Sequence, residues 1–518
     1  MSQTVFARLR ISAQPEDKQP PEIRVRNWEE VAQGLDLQRA RLEAARCIHC
    51  PSQPCVEACP VHNDIPGALL LLENGDYLGA AAKFRETSNL PEMCGRLCPH
   101  ERLCEGVCPV GFAIRPDGRK EPPVGIGQLE AFVADRQREE LGGFPLPKDL
   151  APPSGHRVAV VGSGPSGLTV AEELAKRGHD VTVFDQWPTP GGALAHGIPN
   201  FKMAKRILQQ KLQYLTMLGV DFVTNVKIGR DLTIDDLFDQ GFEAVYLGTG
   251  PGIDRQLHIP GADRYPEIVP VTDFLLRANA TAGRLLAAPE SEGARIDRAN
   301  GPAVVVIGGN DAALDAVRAA LRLGASSVTV AFNGTREEML ARAEEEEEAR
   351  AEGVVFRFGV EPVAFLGNDE GHLTGVRFAR VEQVMIGKNG RRRTFLAPDS
   401  EFVLPADLAI LSLGYESDPL MSEVTVDIRG AERDFEELGA EAGRTGRRGV
   451  FAGGDLVGQK GLVVSAMAAG KRVAVAIDAY LRELENERLQ EALRAEQQLA
   501  APNGAGDDRR RFRLFRRA

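Results

Sequence analysis

All eight cysteines of this 518-residue chain fall between positions 47 and 108, and they are the side chains best equipped to do chemistry. The first set reads Cys47-x2-Cys50-x4-Cys55-x3-Cys59, followed by Pro60. The second reads Cys94-x3-Cys98-x5-Cys104-x3-Cys108, with prolines directly after Cys98 and Cys108. Clustered thiolates with Cys-Pro endings suit cubane iron–sulfur clusters, whose irons each need a soft anionic ligand and shelter from water. Two [4Fe-4S] clusters are the natural count. Structural zinc is the alternative, but zinc ribbons usually pair C-x2-C knuckles and only Cys47–Cys50 has that spacing. Connectivity stays open, because ligands of the two sets can interleave.

Two glycine turns offer phosphate-binding chemistry. "VAVVGSGPSGL" sets Gly162, Gly164 and Gly167 in G-x-G-x-x-G spacing, opening a helix whose N-terminus can face a pyrophosphate. Asp185 ends the next strand, "DVTVFD", where a carboxylate can accept from a ribose hydroxyl. The Gly191-Gly192 doublet in "PGGAL", Gly250 in "YLGTG", and Gly454 with Asp455 in "GVFAGGDLV" together point to FAD. Asp455 is the candidate partner for the flavin's ribityl or phosphate end. In the second turn, "PAVVVIGGNDAALD", Gly308, Gly309, Asn310 and Ala313 are candidates for a nicotinamide nucleotide. Asn310 stands where a glycine normally lets backbone approach the pyrophosphate. Asparagine tolerates left-handed backbone, but its side chain is expected to project into that approach.

These groups need rigid supports, and the sequence supplies them in order. Segments such as "LDLQRARLEAARC" and "PGALLLLENGDYLGAAAKFRET" predict a small helical domain around the cysteines, ended by the proline- and glycine-rich stretch 141–156. From 157 the texture becomes strand, turn, helix, strand, and it repeats from 303, which predicts two doubly wound α/β domains. The expected boundaries are 1–150 for the helical cluster domain, 155–275 for the first part of an FAD-binding domain and 276–415 for an inserted NAD(P)-binding-like domain. The second FAD part spans 416–485, and a helical extension with a basic tail spans 486–518. Residues 281–301 are expected to form a surface loop, and "EEEEE" at 344–348 a solvated helix face without chemistry.

Composition narrows the function. A formal charge of −12 repels phosphate backbones, which excludes nucleic acid as a partner. No apolar run reaches about 18 residues and the N-terminus lacks a signal-peptide core, so a cytoplasmic, non-transmembrane protein is expected. No cysteine follows Cys108, so the α/β units hold no redox-active thiol pair of the kind disulfide reductases use.

The stretches "EAARCIHCPSQPCVEACPVHNDIP", "LPEMCGRLCPHERLCEGVCPVG" and "FAGGDLVGQKGLVVSAMAAGKRVAVAI" resemble the small (β) subunit of NADPH-dependent glutamate synthase and its relatives. Those relatives include the N-terminal half of dihydropyrimidine dehydrogenase and the large subunit of bifurcating ferredoxin:NADP transhydrogenase. The resemblance implies hydride transfer from NADPH or NADH to FAD, then single electrons through two [4Fe-4S] clusters to a partner protein. That partner would be a glutamate synthase large subunit-like chain, ferredoxin or another reductase. No catalytic side chain is required, since the cofactors carry the chemistry. In some relatives a Glu or Gln matching "GIGQLEAFVAD" completes one cluster, which makes Glu130 a candidate metal ligand and Cys94 the spare; the alternative is that Glu130 is an exposed helix residue.

Two departures from the family pattern bear on the nucleotide. Asn310 replaces a glycine, and "AFNGTREEMLA" puts Asn333 and Gly334 where relatives commonly carry paired arginines for the NADPH 2′-phosphate, leaving Arg336 as a single contact. The other reading is therefore an electron-transfer or assembly subunit with a degenerate nicotinamide site. The C-terminal "RRRFRLFRRA" is either a solvated end or a docking tail for an acidic partner or anionic surface.

Overall fold

The computed structural model describes residues 3–114, 118–287, 301–386, 391–416, 443–458 and 461–500. The basic tail and residues 417–442 and 459–460 of the expected 416–485 segment lie outside them.

The cysteine region is built on short helices α1 (Leu37–Ala44), α2 (Ile65–Glu73), α3 (Tyr77–Arg85), α4 (Pro91–Leu97) and α5 (Ile126–Leu141). Aspartates cap three of them: Asp36, Asp64 and Asp76 accept from the backbone nitrogens of Arg39, Gly67 and Gly79, satisfying amides that a helix start leaves unpaired. Cysteines Cys55, Cys104 and Cys108 join the apolar core between these helices, while Cys94 and Cys98 join the core of the following domain.

Beyond residue 156, β1 (Arg157–Val161), α6 (Pro165–Lys176), β2 (Asp180–Phe184), α7 (Lys205–Met217), β3 (Asp221–Val223) and β4 (Ala244–Leu247) alternate. The chain then builds a second unit from β5 (Ile268–Pro270), α8 (Val271–Ala287), β6 (Ala303–Ile307), α9 (Asp311–Arg322), β7 (Ser327–Phe332), α10 (Ala343–Ala351) and β8 (Val355–Phe358). An antiparallel sheet of β9 (Val360–Gly367), β10 (Leu373–Ile386), β11 (Arg391–Leu396) and β12 (Phe402–Pro405) follows. Finally β13 (Leu408–Leu411) returns to the second sheet, and β14 (Val450–Ala452) with α11 (Val463–Ala500) to the first.

The first sheet has the order β14-β4-β1-β2-β3 and the second β8-β7-β6-β13-β5, all parallel pairs. The second sheet's strands lie between β4 and β14 in sequence, so one doubly wound unit is inserted in the other. Strand residues of β1, β4 and β6 are buried on both faces, as helix-covered parallel sheets require. Among the described residues no helix is long and apolar enough to cross a membrane.

Two expectations are corrected. The stretch 281–301 is not a loop from its start, because α8 runs on to Ala287; Val271, Leu275, Ala278 and Ala282 bury one stripe at helical spacing. Only part of the glutamate run is a solvated face: Glu344 and Glu347 are exposed, but the rest turns inward. On α10, Glu345 and Glu346 are buried, and Glu345, Glu348 and Glu352 face the buried Arg318 of α9 at 2.6, 2.8 and 2.8 Å. The inward stripe of this helix is ionic rather than apolar, which charge patterning alone does not reveal.

Candidate functional site

The cysteines separate into groups that cut across the sequence sets. Cys47 and Cys55 each lie near Cys50 and Cys108, whereas Cys59, Cys98 and Cys104 lie with Cys94 and Glu130, and Cys104 stands between the groups, near Cys55 as well. Cys59, Cys94, Cys98, Cys104 and Glu130 line one small cavity. Burial pushes the thiols of Cys47 and Cys59 up to about 11 and that of Cys55 up to about 12. Such thiols become thiolates only when a cation compensates them, which is what iron supplies.

Glu130 is no exposed helix residue. It is 6% exposed, its Oε1 has no hydrogen-bond partner, and burial raises its carboxyl to about 8. A buried acceptor without a partner costs about 1–3 kcal/mol, so an atom so placed among thiols fits a metal ligand. Cys94 is hydrogen-bonded to Cys98, a contact that favours the neutral thiol at Cys94.

The FAD candidates converge on the first turn of α6. Gly162, between β1 and that helix, has φ 95°, and its counterpart Gly308 has φ 142°, the backbone that both turns need and that side chains rarely adopt. Gly164 is the N-cap of α6 and makes no side-chain cap bond, and Gly167 lies in the buried first turn. Gly191 donates its N–H to Ser163 Oγ at 2.7 Å, Gly192 lies against Gly164, and Gly454 lies against Ser166. Gly250 follows the end of β4. Asp185 is buried at the end of β2; Oδ2 accepts from Ser163 N at 2.9 Å and Oδ1 from Trp187 N at 2.9 Å. Its carboxylate thus fixes the glycine turn as well as retaining acceptor capacity. Burial raises Asp455 to about 6, and its Oδ1 accepts from Gly461 N at 3.3 Å.

The second turn corrects the expectation for Asn310. Its φ is −104°, extended rather than left-handed, and it occupies the N-cap of α9, the place Gly164 has in the first unit. Its Oδ1 accepts from Ala313 N at 2.9 Å and from Ser412 Oγ at 2.6 Å. The side chain therefore turns back to cap its own helix instead of projecting outward. Gly309 O receives Leu340 N at 2.9 Å and Ala341 N at 3.0 Å, folding the 335–342 loop onto the turn. Arg336, the expected phosphate contact, pairs with Glu346 at 2.8 Å. Ser412 and Glu346 were missed: the first sits at a strand end without a motif, the second inside a charge run.

One element joins the sites. Val464 of α11 lines the cysteine cavity, Met467 Sδ accepts from Asn89 N at 3.2 Å, and Gly470 packs on Ser166 O at the FAD turn.

Comparison with known proteins agrees with this geometry. Residues 24–141 match the family described as dihydropyrimidine dehydrogenase domain II, 4Fe-4S cluster. Residues 156–470 match pyridine nucleotide-disulphide oxidoreductase, although no cysteine lies in that range. The NADPH glutamate synthase small chain of Halomonas elongata is 35% identical over 92% of this chain and 98% of its own length. That of Escherichia coli is 34% identical over 93% of this chain and 100% of its own length. The NADP(+)-dependent formate dehydrogenase subunit beta of Moorella thermoacetica is 32% identical over 83% of this chain and 60% of its own. With an iron–sulfur domain ahead of an interrupted pair of dinucleotide folds, and with full-length likeness to these small chains, the protein belongs to the glutamate synthase small-chain family of oxidoreductases.

Proposed function

We propose that this chain oxidises a reduced nicotinamide nucleotide and delivers electrons to a partner protein in the cytoplasm. When bound, FAD and two [4Fe-4S] clusters supply the conversion of a hydride into single electrons. The chain's own residues bind and position. Gly162, Gly164 and Gly167 offer the α6 N-terminus to a pyrophosphate, with the Gly191–Gly192, Gly250 and Gly454–Asp455 segments around it. Cys47, Cys50, Cys55 and Cys108 would hold one cluster; Cys59, Cys98, Cys104 and Glu130 would hold the other, with Cys94 spare. The β6–α9 turn, with Gly308, Gly309, Asn310 and Ala313, would receive the nucleotide. No side-chain acid or base is called on.

The observation that carries this reading is α11, which touches both the cysteine cavity through Val464 and the FAD turn through Gly470. Such contact brings the flavin and cluster sites into one packed unit. The relatives' names, small chain and subunit beta, support a partner subunit. The Arg-rich tail is the docking segment we assign to it, so deleting 507–518 should weaken co-purification with the partner while FAD and iron content stay intact.

One observation favours the second reading, an electron-transfer or assembly subunit with a degenerate nicotinamide site: Asn310 already occupies the Ala313 amide. Anaerobic titration with NADH and NADPH decides between them. Flavin bleaching by either supports oxidation; bleaching by neither overturns it.

A further inference from the structure

The adenosine ribose of a nicotinamide nucleotide is read at the end of the strand that follows the glycine turn, by an acid for a free 2′-hydroxyl or by a cation for a 2′-phosphate. In the second unit that place is the end of β7. Asn333 follows Phe332 as Asp185 follows Phe184 in the first unit, and its neutral amide can both donate to and accept from a hydroxyl. The cation that follows, Arg336, is 52% exposed at its side chain and is paired through its Nε, which meets Glu346 Oε1 at 2.8 Å and Oε2 at 2.9 Å.

Glu346 is firmly held. Its side chain is 4% exposed, and Arg350 Nε donates to the same Oε1 at 2.7 Å. A second carboxylate stands close by, for Glu338 Oε2 accepts from Thr335 N at 2.9 Å. A 2′-phosphate arriving here would have to share Arg336 with a buried carboxylate that already accepts from it, whereas a hydroxyl needs no cation.

We infer that Glu346 is a specificity-determining residue that turns this nicotinamide site toward NADH and away from NADPH. The inference rests on the proposed oxidation of a nicotinamide nucleotide at the β6–α9 turn. Glu346 acts through Arg336, by neutralising and orienting it, and need not touch the nucleotide.

The test is the ratio of kcat/KM for NADH and NADPH, measured anaerobically on the FAD- and iron-loaded protein with an artificial electron acceptor. The unaltered chain should favour NADH by at least tenfold. Glu346→Gln, which keeps the shape and removes the charge, should raise kcat/KM for NADPH about tenfold and do so mainly through KM. Asn333→Arg should shift the ratio in the same direction by adding an uncommitted cation. A preference for NADPH in the unaltered chain overturns the inference and leaves the oxidation standing. So does an E346Q protein that retains its FAD but keeps the original ratio. Bleaching by neither nucleotide overturns the oxidation itself.

Discussion

Asn310 Oδ1 accepts the backbone N–H of Ala313 at 2.9 Å, so the helix that would face a nicotinamide pyrophosphate starts with one of its free amides already bound. Gly164, at the same place in the first unit, leaves those amides open. Asn310→Gly should cost only a few tenths of a kcal/mol in helix capping. A freed amide bonding a charged phosphate is worth about 1.5–3 kcal/mol. The expected result is a fall of about tenfold or more in nucleotide KM, read from flavin absorbance during anaerobic titration, with little change in thermal unfolding. An unchanged KM would show that the cap does not compete with nucleotide.

Much of the fold was legible because its signals are local: the two strand–glycine–helix turns and the cysteine spacing are set by residues near one another in sequence. The ligand grouping was not, since Cys108 joins Cys47 and Cys55 only after α2 to α5 have packed. Asn310 misled for a related reason. Its departure from glycine was visible, but its partner Ser412 lies on the far side of the antiparallel insertion. The glutamate run does not show its buried side in the sequence because two of its counter-charges, Lys18 and Arg318, come from other segments.

Glu130 and Cys94 make opposite predictions at one cavity. The unpartnered, buried Oε1 of Glu130 suits a ligand, while Cys94 is hydrogen-bonded to Cys98. Glu130→Ala should remove or alter the EPR signal of one reduced cluster and lower iron content. Cys94→Ser should leave both signals in place. If Glu130→Ala preserves both signals, Glu130 is not a ligand.

Glu352 ties the N-terminal segment to the nucleotide unit through Arg24, Arg318 and Arg322, each 2.8 Å away. Burial pushes its carboxyl up, but the guanidiniums outweigh burial and hold it at about 2. A depressed carboxyl stabilises the fold above the ordinary range near 4.5, and that stabilisation is lost as pH falls toward 2. Glu352→Gln strands buried guanidiniums and should cost about 3–5 kcal/mol in urea unfolding at neutral pH. The difference between variant and unaltered chain should shrink on acidification; a pH-independent difference would mean that shape, not charge, is what Glu352 contributes.

Gly470 of α11 packs closely on the candidate flavin turn: a Cβ there would lie 2.7 Å from Ser166 O, a backbone atom that cannot swing aside. Gly470→Ala must push α11 off α6, an overpacking cost of about 1–3 kcal/mol. Because Ser166 opens the helix proposed to hold the pyrophosphate, FAD should suffer first. The purified variant should show less than half the FAD-to-protein ratio of the unaltered chain. Iron should stay near its original level, since four cysteines lie between α1 and α2 and the other four on α4 or between α4 and α5, and α11 adds only Val464 to the cavity that Cys59, Cys94, Cys98 and Cys104 line. Parallel loss of FAD and iron would instead mean that the two sites fold as one unit, with α11 as the element both depend on.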